Sequence, residues 1–397
     1  MSRRLPRWSE FRPLLGGGHM SALQRCASIG DVRRLARRRV PRAVFDYTDG
    51  AAGDESSLRR AREAFARIEF QPRVLRDVSR VDTSTNILGE RSAFPLFFCP
   101  TGFTRFMNHE GEVAVARVAA RLGVPTTLST LGTTSLEELA AAAPQARRWF
   151  QLYLMADRGY CADLVQRAGQ AGYDTIVLTV DTPVAGHRHR DVRNGLSIPP
   201  RLTARTLIDM AAHPRWWIDL ITTEPLAFAS MSDTGGTVSD FIARVFDPAI
   251  SLDDLDWLRG VWSGRLVVKG VQGVDDAVLV TEHGADAVLL STHGGRQLER
   301  APVPLELLPA VREALPEGVD VLLDGGVTGG ADIVASVCAG ATAVGVGRAY
   351  LYGLMAGGEA GVARVAEILA SEITTTMQLL GRTSVGELGP ECIRRRG

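Results

Sequence analysis

From Phe94 onward the chain alternates short apolar runs with stretches of helical periodicity, and this rhythm restricts the folds open to it. The apolar runs fall at residues 96–99, 126–128, 149–153, 175–179, 266–269, 287–290, 320–323 and 343–346. Each is short for a helix and continuous enough to be a strand buried on both faces. Helix-like stretches separate most of them, among them Glu110 to Arg121, Ser135 to Ala143 and Asp275 to His283. Eight strands with intervening helices is the count of an α/β (β/α)8 TIM barrel; a doubly wound open sheet is the alternative.

Two regions stand outside the rhythm. Residues 1–28 read as an irregular tail, and 29–397 as one domain. A helix is expected from Asp31, with Asp31 near its N-cap. Arg33, Arg34, Arg37, Arg38 and Arg39 on it read as a solvated face, with attraction to anionic lipid as the alternative. Tyr47 falls at a helix-to-loop transition, and residues 56–70 are again helical, so this part is an N-terminal helical appendage. After the fourth strand comes a long insertion, about 195–255, holding Pro199-Pro200, His213-Pro214-Arg215-Trp216-Trp217, Phe228 and Met231. An ordered lid on the barrel is one reading. A membrane-interface or quinone-facing surface is the other, because adjacent Trp and basic residues suit that boundary.

Composition excludes several classes. Lys plus Arg and Asp plus Glu each number 45, so no net charge draws the chain to nucleic acid. The five Cys have no CxxC spacing, which argues for reduced thiols and against a structural zinc site; no metal is expected. No signal peptide and no apolar run of membrane-spanning length is seen. The expected location is therefore cytoplasmic, with peripheral contact at the inner face of the cell membrane through residues 210–231 as the option kept open.

Barrel chemistry gathers at the C-terminal strand ends. Those ends carry Pro100, Thr101 and Gly102; Ser129; Gln151 and Tyr153; Thr179 and Asp181, with Arg188 beyond; Lys269; His293 and Arg296; Asp324, Gly325 and Gly326; and Gly347 and Arg348. A His can take a proton near neutral pH, and an Arg fork can hold a carboxylate through parallel hydrogen bonds. Glycines after the last two strands, with a helix N-terminus and Arg348, suit a phosphate. Singly, each has a plain explanation: Lys269 a surface lysine, Asp181 an N-cap, Arg296 paired to a surface acid. A polar or Gly-rich end on all eight strands is poorly explained that way.

The sequence resembles the FMN-dependent L-2-hydroxy-acid dehydrogenase and oxidase family from about Ile29 to the C-terminus. The matching motifs are Phe45-Asp46-Tyr47, Phe150-Gln151-Leu152-Tyr153, Thr179-Val180-Asp181-Thr182-Pro183, Lys269-Gly270 and His293-Gly294-Gly295-Arg296-Gln297. Within it, Asp191-Val192-Arg193-Asn194-Gly195 and Arg348-Ala349-Tyr350-Leu351-Tyr352 look most like bacterial quinone- or cytochrome-linked L-lactate dehydrogenases. The resemblance implies FMN as cofactor, His293 as base and Asp181 as its orienting acid. It implies that Arg188 and Arg296 bind the substrate carboxylate and that Tyr47 and Tyr153 hydrogen-bond the substrate. It places Lys269 beside flavin N1, Ser129, Gln151 and Thr179 on the ring's polar edge, and Gly102 near N5. Gly326, Gly347 and Arg348 would cradle the phosphate, with Pro100, Thr101, Asp324 and Gly325 completing the cofactor site. A homotetramer is expected from the family alone.

There are departures. Thr292 stands where many members have Asn, and Thr328 where many have a phosphate-binding Arg. Leu131 and Ala185 leave room for a substrate side chain. The expected reaction is L-lactate to pyruvate, with a quinone or cytochrome acceptor. A peroxide-producing oxidase and an (S)-mandelate dehydrogenase are the alternatives within the class. A non-redox FMN-barrel isomerase or an inactive flavin-binding protein is the alternative outside it.

Overall fold

The computed structural model describes residues 21–195, 204–229 and 245–396. The barrel strands are β1 Leu96–Phe98, β2 Thr126–Ser129, β3 Arg148–Leu152, β4 Thr175–Thr179, β5 Arg265–Val271, β6 Ala287–Leu290, β7 Asp320–Asp324 and β8 Ala343–Val346. All pair in parallel. β8 returns to β1, with Val344 opposite Leu96 and Val346 opposite Phe98, so the sheet closes and the open-sheet alternative falls.

The strands are apolar on both faces because both are covered. Phe98, Phe150, Ile176, Leu266, Val288 and Val321 pack outward among the helices. Phe97, Trp149, Val177, Val267, Leu289 and Leu322 fill the barrel interior. Successive side chains on a strand point to opposite faces. Two residues beyond this inner layer, the same face therefore carries Cys99, Gln151, Thr179, Lys269, Ser291 and Asp324, all buried. The interior thus turns from apolar to polar in one step toward the C-terminal mouth.

The opposite mouth is plugged. A short antiparallel hairpin, Thr85–Ile87 with Glu90–Ser92, inserts Ile87 and Leu88 into the apolar inner layer. The Leu88 N–H donates to Asp320 Oδ2 at 2.6 Å.

The appendage comprises α1 Ile29–Arg39, α2 Arg42–Asp49 and α3 Ser56–Ala66. α1 begins earlier than expected: Ser28 is its N-cap, and Asp31 is the third helical residue, closing a capping box. The arginine run is not uniformly solvated. Arg33 is half-buried and gripped by Asp49, and Arg39 donates to the Ala356 carbonyl of the last helix, Arg348–Leu380.

In the insertion, helices Ala204–Ala211 and Pro214–Thr222 are described. Trp216 is buried, donates its indole N–H to the Phe106 carbonyl at 3.0 Å and meets the Phe106 ring edge-on. It anchors the segment to the barrel, as the lid reading expects, so its indole does not serve the interfacial alternative. Met231 and Pro199-Pro200 lie outside the described residues. Among those described, no helix is long and apolar enough to cross a membrane.

Candidate active site

The polar layer at the C-terminal mouth is incompletely paired. Ser129 donates to Gln151 Oε1 at 2.8 Å. Among the described residues, buried Gln151 Nε2, Thr179 Oγ1, Asp181 Oδ2 and Asp324 Oδ1 have no hydrogen-bond partner. Buried polar atoms are normally satisfied, so four orphans at the C-terminal ends of β3, β4 and β7 mark a place where a polar ligand belongs.

Lys269 sits in this layer, 3 % exposed. Its Nζ donates to Ser291 Oγ at 2.9 Å and lies 3.4 Å from Asp324 Oδ2. Burial alone would lower the ammonium, but Asp324 and Asp181 outweigh it and hold its pKa above the ordinary lysine value. The next residue allows this placement. Gly270 has φ +102°, and a Cβ there would come within 2.7 Å of Asp181 Cβ. The β5–β6 register shifts at this point, a bulge that ends the regular ladder beside the site.

His293 follows β6 in a tight turn. His293, Gly294 and Gly295 all have positive φ, at 55°, 63° and 76°. A histidine in that region is uncommon and is held there by its neighbours. Its N–H donates to Ser291 Oγ at 3.0 Å, so Ser291 links His293 to Lys269. His293 Nδ1 lies 3.1 Å from Asp181 Oδ1. An ionised carboxylate only accepts, so Nδ1 carries the proton and Nε2 keeps its lone pair. Burial pushes the imidazole pKa below its usual value, opposed by Asp181 and assisted by the charge of Lys269. Burial would raise the Asp181 carboxyl; the charges of His293 and Lys269 prevail and lower it. Gln297 ties the two loops together, accepting from the Gly186 N–H at 3.1 Å and donating to the carbonyls of Asp181 and Val184.

The second part of the site comes from outside the strands. Tyr47, near the end of α2, has the Arg296 guanidinium 4.9 Å and that of Arg188 5.8 Å from its ring centre. Arg296 Nη1 donates to the carbonyls of Tyr47 and Gly50. Burial, then the nearby charge of Arg188, pushes the Arg296 pKa down to about 10. Arg188 forms an ion pair with Asp191 at 3.3 Å. Tyr153 is buried just past the end of β3, its ring edge-on to Phe246, and burial raises its hydroxyl.

The glycine-rich ends behave less uniformly. Gly325 and Gly326 have φ +92° and +80°, and a Cβ on Gly326 would meet the Ala61 carbonyl of α3 at 2.7 Å. Gly347 caps the last helix. Arg348 does not stand free there: its guanidinium donates to the carbonyls of Thr48, Gly50 and Gly294 at 2.8–3.0 Å. Thr328 bonds the Asp332 carboxylate through both its N–H and its hydroxyl, closing the turn before helix Gly330–Cys338. After β1, half-buried Pro100 precedes Thr101, whose hydroxyl engages Tyr350 at 2.6 Å. Gly102 is packed so closely that a Cβ would meet Leu131 Cβ at 2.8 Å.

The structure therefore brings His293, Asp181, Lys269, Gln151 and Thr179 to one mouth of the barrel, with Tyr47, Arg188 and Arg296 grouped about one ring. Sequence reading missed Ser291, whose only signal was its inward parity two residues after Leu289.

The chain is similar to known proteins over most of its length. A chain of Mycobacterium tuberculosis, provisionally named L-lactate dehydrogenase, is 52 % identical over 98 % of this chain and 96 % of its own length. The L-lactate dehydrogenase of Caulobacter vibrioides is 41 % identical over 93 % of this chain and 98 % of its own. The crystal structure of a monotopic membrane protein, (S)-mandelate dehydrogenase, superposes with a TM-score of 0.90 at 36 % identity, covering 94 % of this chain and all of that one. A mandelate oxidase structure with (S)-mandelic acid reaches 0.80 at the same identity, covering 93 % of this chain and 98 % of that one. The family pattern of FMN-dependent dehydrogenases matches residues 36–395, and the chain belongs to that family.

Proposed function

We propose that this chain oxidises L-lactate to pyruvate and passes the electrons to a quinone or cytochrome in preference to oxygen. By family it is an FMN-dependent L-2-hydroxy-acid dehydrogenase. One observation carries the assignment of roles. A half-buried imidazole, oriented by a carboxylate, shares the barrel mouth with a tyrosine ring that has two guanidiniums 4.9 and 5.8 Å from its centre.

The residues present fit FMN. Gln151 Nε2 and Thr179 Oγ1 are orphaned donors where a polar ring edge would lie. With Ser129 and Lys269 they would hold that edge. The backbone of Pro100, Thr101 and Gly102 and the carboxylate of Asp324 would border the cofactor. Gly325, Gly326, Gly347 and Arg348 would receive its phosphate. For Arg348, that requires sharing a guanidinium already bonded to three carbonyls.

When bound, FMN supplies the electron acceptor for the hydroxy acid. Arg188 and Arg296 bind the substrate carboxylate, whose negative charge relieves their mutual repulsion. Tyr47 and Tyr153 hydrogen-bond the substrate. His293 Nε2 takes the proton, from the hydroxyl or from Cα according to which bond breaks first. Asp181 then stabilises the imidazolium, as an acid beside a catalytic histidine does. Lys269 keeps a fixed positive charge in a layer shielded from water, where it acts most strongly on developing negative charge.

The resemblance favours a dehydrogenase over an oxidase at Gly102, where glycolate oxidase carries Ala and dehydrogenases of the family often carry Gly. A methyl there would collide with Leu131, so the space beside it is set by that pair. The deciding experiment is anaerobic flavin bleaching by L-lactate, glycolate and L-mandelate, followed by stopped-flow reoxidation. Lactate should bleach fastest, and a quinone analogue should reoxidise the flavin much faster than air. Fastest bleaching by mandelate would favour the second reading, a mandelate dehydrogenase, which the small Ala185 accommodates.

Peripheral membrane contact is part of the same proposal. Its support is the outer face of the insertion, where Ile208, Ile218 and Ile221 are exposed near Arg215. Assembly as a homotetramer is checked by the mass of the FMN-loaded protein in solution.

A further inference from the structure

A charged cluster lies beside the site without using any strand end. Arg190, on the short helix His189–Arg193, is two residues past Arg188. Its Nη1 donates to Asp49 Oδ2 at 2.9 Å, and its Nη2 donates to Glu55 Oε2 at 2.6 Å. The Asp49 side chain is only 3 % exposed. It is also held in a bidentate pair by Arg33, at 2.6 and 2.8 Å, and by the Tyr352 hydroxyl at 2.8 Å. Asn194 donates to Asp46 Oδ2 at 2.9 Å, and the Gly53 N–H donates to the His187 carbonyl at 2.9 Å.

These contacts join two segments that belong to no strand. One, residues 46–55, carries Tyr47 and the carbonyls that hold Arg296. The other, residues 187–194, carries Arg188. Arg188 and Arg296 are like charges near one ring, 5.8 and 4.9 Å from its centre, and before a carboxylate arrives they repel each other. A segment bearing one of them tends to swing away unless something outside the clamp holds it.

We propose that Arg190 is a positioning residue for the substrate-carboxylate clamp: by grasping Asp49 and Glu55 it holds the Arg188 segment against the Tyr47 segment. Arg190 touches no substrate; it sets where Arg188 stands. This rests on the reading that Arg188 and Arg296 receive the carboxylate. A merely structural role would lower stability and FMN content without separating binding from turnover.

The test uses the full-length FMN-loaded enzyme and three variants, Arg190→Met, Arg188→Met and the double. For each, KM and kcat for L-lactate are measured, with the Kd of oxalate read from the flavin spectrum, FMN content and thermal midpoint. Arg190→Met should raise KM and the oxalate Kd about tenfold or more while kcat changes far less, since a displaced binding group loses the effect of orientation. The double variant should bind oxalate no worse than Arg188→Met alone, because residues acting through one another are not additive. Additive losses, or an unchanged oxalate Kd in Arg190→Met when Arg188→Met loses affinity, overturn the proposal. An unchanged Kd in Arg188→Met itself overturns the clamp reading beneath it. If Arg190→Met does not fold, Glu55→Gln weakens one of three grips, the others being Asp49 and, at 3.4 Å, Asp46, and should shift KM and Kd in the same direction by less; no shift overturns the proposal.

Discussion

The two halves of the site are built differently. His293, Asp181 and Lys269 stand at or just beyond the ends of β6, β4 and β5, where parallel hydrogen bonding sets each strand against the next. Tyr47, Arg188 and the Arg296 guanidinium depend on segments docked against one another through carbonyls and ion pairs. The proton-handling half is thus as rigid as the sheet, while the carboxylate-binding half is only as firm as a set of side-chain grips. Damage to the first should appear in turnover and damage to the second in substrate affinity.

The largest expected effect is in the rigid half. His293→Ala should retain FMN and lose turnover by about 10²–10⁴, the usual worth of a positioned base. Near-normal turnover would end the division, since among the described residues no other imidazole is placed on Asp181.

Lys269→Met tests the same half by stability as well as chemistry. It leaves the buried Asp324 carboxylate without its ammonium, a loss of roughly 3–5 kcal/mol for a broken buried pair. It should also weaken sulfite binding to the flavin. Adding Asp324→Asn should recover thermal stability but not sulfite affinity. If both recover together, Lys269 acts only as a structural partner.

In the docked half, Arg296→Lys should raise KM with a smaller change in kcat. An ammonium cannot bond the Tyr47 and Gly50 carbonyls and still present a planar fork. Losing one charged hydrogen bond, roughly 1.5–3 kcal/mol, corresponds to about tenfold or more. A fall in kcat alone would move Arg296 into the proton-handling half.

The pH profile separates the halves more finely. Protonated His293 cannot accept a proton, so kcat/KM should fall on the acid side, with its midpoint below the ordinary imidazole value of 6.5. Asp181 raises the imidazole pKa, so Asp181→Asn should move that limb to still lower pH in whatever activity remains. A limb moving upward would contradict the contact.

The smallest expected effect lies outside both halves. Ile218→Ser/Ile221→Ser should reduce co-sedimentation with anionic vesicles, whereas Trp216→Ser should chiefly loosen the insertion. Interfacial segments of this kind bind weakly and reversibly. Equal, negligible sedimentation of the wild type and the double variant would leave the insertion as a lid alone.

The barrel was legible because each strand buries both faces, which writes a continuous apolar run into the chain; the expected runs match the strands within one or two residues. The polar layer was legible only as a set: Lys269 alone could be a surface lysine, but a polar or Gly-rich end on all eight runs is hard to explain otherwise. Helix starts were less legible: α1 begins at its Ser28 cap, because a capping box needs the acid inside the helix. Arg33 looked like part of a solvated face, as its partner Asp49 lies 16 residues away around a turn. Trp216 carried no mark of direction, since an interfacial indole and an anchoring one have the same composition around them.

The sequence by itself determined an α/β architecture of eight buried strands, the strand ends that carry chemistry and the residue types placed there, because burial and strand parity are local properties of short runs; that the sheet closes was decided by the pairing of β8 with β1. Only the tertiary structure decided that Ser291 joins Lys269 to His293, that Arg348 is held by three carbonyls, and that Arg190 binds the Arg188 segment to Asp49 and Glu55. Apart from the Ser291–His293 bond, those contacts join residues from tens to hundreds of positions apart. Their partners are selected by which surfaces come together on folding, and no periodicity along the chain records that choice.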